Sequence, residues 1–290
     1  MKLQRHAPPN KSARAAKLAS RPPFSQLRRR GQLQRETAKT SNTPAIDAIP
    51  APKVASELPA VDAEIVVQVD TRTTVAQSNS TRLIRPVAAE RIVEGALATD
   101  ENTRAYEQLA TRVIDDVSCF PTACVGFVAA DQGGDSTLVI TILGNVLRRR
   151  QEQVLILDSD TEQRCLSLLH GVTDRPGTGD ILSGSALLPE SVLHTPQQIK
   201  VLPIGTAYES NERPSSKKWG QFLSQIKVQS PLTLIDLGTM QSAFSTQMAQ
   251  LCETVYLVVA MDRTPRSTYA KLAGQIPLQG IRLQGTIVTL

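Results

Sequence analysis

Hydrophobic residues are spaced in two alternating ways along residues 96–290. Apolar residues recur at helical spacing in some stretches, and short uninterrupted apolar runs, typical of buried strands, stand between them. The predicted helices are Arg104–Val117, Ser136–Arg150, Thr161–His170, Lys217–Val228, Ser242–Cys252 and Ser267–Ala273. The predicted strands are Val125–Ala129, Val154–Leu157, Val201–Leu202, Leu232–Ile235, Val255–Ala260 and one within Ile281–Val288. This alternation predicts an α/β fold, with a doubly wound, mostly parallel sheet and helices on both faces.

Residues 1–95 have a different composition, rich in proline, alanine, serine and threonine. They offer too little apolar surface to offset the entropy lost on ordering, which is about 1–2 kcal/mol per residue for the backbone. We therefore predict a disordered tail over residues 1–95, followed by one α/β domain over residues 96–290.

The positive charge of the chain is concentrated at its start. Residues 1–40 contain 11 lysines and arginines and one acid, a net charge of +10. Because the whole chain carries +5, residues 41–290 carry −5. This basic segment either binds nucleic acid or anionic lipid, or serves only as a solvated tail that keeps the protein in solution.

Two classes of protein are excluded by what the chain contains. No apolar run approaches the roughly 18–20 residues that a membrane span requires, so we expect a cytoplasmic protein. The four cysteines form no C-x-x-C pair and the three histidines do not cluster, which argues against a structural zinc site.

The first predicted strand ends in a glycine-containing turn that leads directly into a helix. Glycines let backbone N–H groups approach a phosphate, and the positive end of the helix dipole favours it. Gly133, Gly134, Asp135, Ser136 and Thr137 are therefore the candidate nucleotide-binding residues. A hydroxyl at the helix start, that of Ser136 or alternatively Thr137, is the candidate Mg²⁺ ligand. The alternative is an ordinary strand-to-helix turn capped by polar side chains.

Asp135 stands where a phosphate-binding loop has its lysine. At a distance of about 4 Å and an effective dielectric near 20, one pair of unit charges interacts with about 4 kcal/mol. Replacing a cation by an anion therefore weakens triphosphate binding, unless Asp135 points away or is itself neutralised.

Acidic residues follow two further predicted strands. Asp158 and Asp160 come directly after Val154–Leu157, and Asp236 ends the strand that begins at Leu232. Because ligands of parallel sheets bind beyond the carboxyl ends of the strands, we expect these acids near the glycine turn. Asp158 and Asp160 are candidate catalytic groups, and Asp158 and Asp236 are candidate Mg²⁺ ligands. Turn formation by aspartate explains the first pair equally well.

Roughly residues 100–290 resemble the cytoplasmic module of the bacterial tyrosine autokinases that regulate capsular and exopolysaccharide synthesis and export. This family lies in a wide group of P-loop NTPases that also contains the partition ATPases. Its most specific match is Val154–Gly184, and further matches are Leu202–Gly205, Leu234–Asp236 and Tyr256–Val259 with Arg263-Thr264 beyond. Ala105-Tyr106, Leu109 and Thr111 resemble a helix that makes oligomer contacts in the family.

This resemblance implies ATP and Mg²⁺ as cofactors, self-association, and a membrane-embedded polysaccharide chain-length regulator or export protein as partner. The chain departs from the family in two functional parts, because Asp135 replaces the loop lysine and no tyrosine cluster follows the last predicted strand. We therefore expect a catalytically impaired scaffold or regulator. The alternatives are an active ATPase or tyrosine kinase, and a partition-type ATPase with a nucleic-acid-binding tail.

Overall fold

The computed structural model describes residues 87–132, 135–195, 198–206 and 214–290. Within these ranges seven strands form one sheet in the order β3-β4-β2-β5-β1-β6-β7. The strands are β1 (Ala123–Ala129), β2 (Val154–Asp158), β3 (Leu193–His194), β4 (Lys200–Leu202), β5 (Leu232–Asp236), β6 (Thr254–Ala260) and β7 (Leu283–Thr289). Neighbouring strands are parallel except for the antiparallel pair β3–β4. The prediction of a mostly parallel α/β sheet is confirmed.

Nine helices connect or precede these strands in the part of the chain that the structure describes. They are α1 (Val87–Ala96), α2 (Asp100–Val117), α3 (Asp135–Arg149), α4 (Cys165–Leu169), α5 (Thr178–Ser183), α6 (Leu188–Ser191), α7 (Ser216–Gln229), α8 (Ala243–Gln250) and α9 (Arg266–Leu278). Helices α2, α3, α7 and α8 lie close to the predicted ranges, whereas α9 continues beyond the predicted end at Ala273 to Leu278 and α1 was not predicted. The short elements α5, α6 and β3 had no sequence prediction, because elements of two to six residues are too short to show a hydrophobic period.

Helix α1 lies in the stretch that the sequence assigned to the tail. Ala89, Val93 and Ala96 of this helix are buried, and it packs against α3. The folded part of the chain therefore begins at Val87 or earlier. The basic segment 1–40 lies outside the described residues, so its disorder and the exact domain boundary stay predictions.

The helix predicted over Thr161–His170 is wrong in its first half. The Asp160 carboxylate accepts hydrogen bonds from the backbone N–H groups of Glu162 and Gln163, which makes a turn. Arg164 then adopts a left-handed conformation with φ of 53°, and α4 begins only at Cys165. A polar turn that competes with the helix therefore sets this boundary.

The centre of the sheet positions the site. All residues of β1, β2 and β5 are buried, because helices cover both faces of these strands. Tyr106, Leu109 and Val113 of α2 are fully buried, as their helical spacing predicts. The carboxyl ends of β2, β5, β1, β6 and β7 meet at one edge of the sheet, where the candidate residues lie.

Candidate nucleotide and magnesium site

Asp158 and Asp236 lie side by side at the carboxyl ends of β2 and β5, where they are register partners. Both side chains are fully buried. Strand β1 runs on the other side of β5, so the carboxyl end of β1 lies next to that of β5. The strand-end acids are thus brought together beside the loop, as the sequence predicts.

Asp236 joins the end of β5 to the start of α3. Its Oδ1 accepts a hydrogen bond of 2.9 Å from the Ser136 hydroxyl and one of 3.2 Å from the backbone N–H of Gly238, and its Oδ2 accepts one from Thr137. Burial raises the pKa of Asp236 to about 6, although the hydrogen bond from Thr137 opposes this shift. The two hydroxyl residues at the helix start are therefore held against a carboxylate.

Asp158 is held by the segment that follows it. Its Oδ1 accepts a bond of 3.0 Å from the backbone N–H of Asp160, and its Oδ2 accepts bonds from the backbone N–H and the hydroxyl of Ser167 on α4. Burial, reinforced by the neighbouring charge of Asp236, raises the pKa of Asp158 to about 7. A carboxyl group of this kind changes its protonation near neutral pH.

Asp160 closes the turn after β2 and packs against the turn after β5. Its side chain is buried, and a Cβ atom added at Gly238 would lie 2.6 Å from its Cγ. Gly238 also has a φ of +56°, which favours glycine. The two acidic turns therefore fit together only because residue 238 has no side chain.

Asp135 is buried and directed towards β6 and β7 rather than towards the acids on β2 and β5. Its Oδ2 lies 2.6 Å from a guanidinium nitrogen of Arg263, just after β6, and accepts a bond of 2.7 Å from the hydroxyl of Thr289 on β7. The sequence predicts repulsion between the Asp135 carboxylate and a triphosphate. Arg263 reduces this repulsion, because its positive charge is paired with the carboxylate. Gly133 and Gly134 lie outside the described residues, so their part in phosphate binding stays a prediction.

The oxygen atoms of Ser136, Asp158 and Asp236 are of the kind that Mg²⁺ prefers. The Ser136 hydroxyl and the Asp236 carboxylate are already neighbours, which fits a shared ion. Among the residues that the structure describes, no group of three or more histidine, cysteine, aspartate or glutamate side chains is placed to hold a metal. A Mg²⁺ ion here would therefore take its remaining ligands from water and phosphate, as this ion usually does.

The sequence did not assign a role to Arg263, Thr289 or Ser167. Arg263 and Thr289 follow or end strands whose carboxyl ends lie at the same edge as the glycine turn. The rule that ligands bind beyond the carboxyl ends of parallel strands pointed to the acids, and the same rule could have pointed to these two residues. Ser167 gave no signal, since its contact with Asp158 depends on how α4 folds back.

The same arrangement of strands occurs in several solved structures. The kinase domain of the Escherichia coli tyrosine kinase ETK superposes with a TM-score of 0.61 at 16% identity, covering 81% of this chain and 94% of that domain. The BceF tyrosine kinase domain gives a TM-score of 0.58 at 19% identity, with 68% of this chain and 81% of that domain covered. The chimeric protein CapA2B2 gives 0.61 at 12% identity, covering 69% and 89%. The fold is that of the bacterial tyrosine kinase domains.

The likeness to the bacterial tyrosine kinase domains that the sequence indicated is therefore confirmed for the fold. Among curated proteins, an uncharacterized ATP-binding protein of Methanocaldococcus jannaschii is 27% identical over 111 residues, which are 38% of this chain. The match spans 42% of the length of that relative. No family model matches the chain.

Proposed function

We propose that this chain is a catalytically impaired relative of the tyrosine kinases of capsular and exopolysaccharide synthesis. It acts as a scaffold or regulator of polysaccharide export. It works in the cytoplasm and reaches the membrane through a membrane-embedded chain-length regulator or export protein. ATP and Mg²⁺ would be the ligands inherited with the fold, bound weakly or not at all.

One observation carries this proposal: the residue at the position of the loop lysine is a buried, paired aspartate. The carboxylate of Asp135 is already engaged by Arg263 and Thr289, so it contributes no cation to a triphosphate. In active enzymes of this kind the lysine draws the β- and γ-phosphates into place. Without it, positioning and charge stabilisation of phosphoryl transfer are both weakened.

The retained acids support a relative of an enzyme rather than an unrelated fold. Asp158, Asp160 and Asp236 are buried at the strand ends, and Ser136 contacts Asp236. Buried carboxylates are costly to keep in an apolar sheet. Here hydrogen bonds to neighbouring segments compensate for much of that cost, which supports a structural role for a former catalytic set.

Self-association is proposed through helix α2, on the side that faces away from the sheet. Tyr106 and Leu109 are fully buried inside the domain, so they hold the helix in place instead of meeting another copy. Ala105 and Thr111 remain partly exposed.

Among the described helices none has the length and apolar character needed to cross a bilayer. The membrane contact is therefore assigned to a partner.

Calorimetric titration of the full chain with Mg-ATP tests the loss of nucleotide binding. The expected result is no saturable heat at millimolar nucleotide. The matched variant Asp236→Asn removes one candidate Mg²⁺ ligand and is expected to behave like the wild type. Saturable binding by the wild type that Asp236→Asn abolishes would overturn the proposal.

The second candidate is an active ATPase or tyrosine kinase. The retained strand-end acids and the ATP-binding relative favour it, and Asp135 does not block it outright because Arg263 cancels its charge. The third candidate is a partition-type ATPase with a nucleic-acid-binding tail, which is supported only by the charge of residues 1–40. ATP turnover by the purified chain separates both of these from the silent scaffold.

A further inference from the structure

Asp135, Arg263 and Thr289 form a small polar cluster, here called the latch, at the start of α3. The Asp135 side chain is 7% exposed, whereas the Arg263 side chain is 44% exposed. The carboxylate is therefore fixed in the interior, and the guanidinium reaches it from the surface. Thr289 on β7 binds the same carboxylate oxygen at 2.7 Å and so holds it in place independently of the arginine.

The segment that carries Arg263 is also tied to the other side of the glycine turn. Thr264 donates a hydrogen bond of 2.9 Å to the Asp131 carboxylate, which precedes Gly133 and Gly134 in the sequence. The backbone N–H groups of Arg263 and Thr264 bond to the Ala260 carbonyl at the end of β6. Both flanks of the glycine turn are thus joined to one short connection between β6 and α9.

An arginine has five N–H donors. One nitrogen of Arg263 bonds to Asp135, and its Nε lies 4.0 Å from a carboxylate oxygen of the exposed Asp262. The guanidinium group matches the geometry of phosphate oxygens and binds them at two points. Its partly exposed position keeps the desolvation cost of exchanging one anion for another small. The main energetic cost of the exchange is the loss of the ion pair of Asp135. This carboxylate would stay buried, with Thr289 as its remaining partner.

We propose that the Asp135–Arg263 pair is an autoinhibitory latch: Asp135 keeps occupied the cation that a phosphate group at the start of α3 would otherwise recruit. Arg263 is then the positive charge that takes over from the missing lysine, and Asp135 is the residue that withholds it. This inference rests on the proposed function, because it gives a structural reason for the weak nucleotide binding that we propose. The ligand class is a di- or triphosphate, with or without a nucleoside.

A double-mutant cycle tests the latch. Mg-ATP and Mg-pyrophosphate are titrated calorimetrically into the wild type, Asp135→Asn, Arg263→Gln and the double variant. Asp135→Asn keeps the size of the side chain, removes its charge and frees Arg263. We therefore expect saturable heat where the wild type gives none, which corresponds to an affinity gain of about tenfold or more. The double variant is expected to lose that gain, because the recruited cation is gone.

Two results would overturn the latch. One is an unchanged affinity in Asp135→Asn, and the other is a gain that persists in the double variant, which would assign the effect to the charge of Asp135 alone. Thr289→Val is the matched control, because it removes the other partner of Asp135 and leaves Arg263 in place. Thermal unfolding of each variant identifies any that do not fold. ATP turnover by the wild type would defeat the proposed function whatever the cycle gives, so the two failures are distinguishable.

Discussion

The Ser136 hydroxyl donates a hydrogen bond of 2.9 Å to Oδ1 of Asp236, across 100 residues of sequence. This contact joins the first turn of α3 to the end of β5, and both side chains are buried. A hydroxyl and a carboxylate so arranged are two ready ligands for Mg²⁺. The same contact also stabilises the fold, because it joins two buried polar groups.

The stability of the domain should fall as the pH rises from about 4 to about 7. In the folded state the pKa of Asp158 is raised to about 7 and that of Asp236 to about 6, each from an ordinary value of 3.8. An acid whose pKa is raised by folding stabilises the protein fully below its unfolded pKa, and this contribution is lost as the pH passes the folded pKa. Urea unfolding at several pH values measures the effect.

Asp158→Asn should flatten this pH dependence, because the amide does not ionise. Asp174→Asn is the matched control, since Asp174 is exposed on the same domain and should leave the profile unchanged. A wild-type free energy of unfolding that rises steadily from pH 4 to 7 with the same slope in Asp158→Asn would contradict the assignment.

Gly238→Ala should destabilise the domain by about 1–3 kcal/mol. The new Cβ would lie 2.6 Å from Cγ of Asp160, and the φ of +56° is unfavourable for alanine. Gly220→Ala is the control, because Gly220 lies within α7 and nothing stands within 4 Å of its added Cβ. That variant should gain about 0.5–1 kcal/mol from helix propensity. Equal effects of the two substitutions would show that the close fit at Gly238 does not matter.

Asp135→Lys alone should fail to create a working phosphate loop. It would place an ammonium group in a buried position beside Arg263, and the loss of the ion pair costs about 3 kcal/mol or more. The double variant Asp135→Lys with Arg263→Glu reverses both charges and should recover most of the stability. Chemical unfolding of the single and double variants measures this recovery.

A stable Asp135→Lys variant that binds Mg-ATP tightly would mean that the pair with Arg263 contributes little. The variant Arg263→Glu alone is the other arm of this comparison. It places two carboxylates together and should be destabilised by a similar amount. If both single variants are as stable as the wild type, the pair has no structural role.

The central sheet and the acidic strand ends could be predicted because they depend on local patterns. Apolar runs marked β1, β2, β5 and β6, and an aspartate at the end of β2 and of β5 pointed to the site. The strand order brings these ends together by the general rule for parallel sheets. This much followed from residues close together in the sequence.

The pairing of Asp135 with Arg263 could not be predicted, because 128 residues separate them. The general rule for parallel sheets places Arg263 at the same end of the sheet but does not say which side chain it contacts. The sequence posed the charge problem at Asp135 but left its answer open. The early end of the Thr161–His170 prediction has a similar cause. The Asp160 turn and the left-handed Arg164 override an otherwise helical pattern.

Deleting residues 1–40 tests the role of the basic segment. If it meets a polyanion, the deletion should abolish retention on anionic liposomes or DNA at low salt, since about 1 kcal/mol is expected per basic residue near such a membrane. A variant with the same length but its arginines changed to glutamine is the control for charge. Unchanged retention after deletion would leave the segment as a solubilising tail.

Turnover of ATP by the purified full chain with Mg²⁺ decides whether the domain is catalytically impaired. We expect no phosphate release above that of Asp236→Asn and no phosphorylated tyrosine on the chain. Sustained hydrolysis by the wild type that disappears in both Asp158→Asn and Asp236→Asn would contradict it.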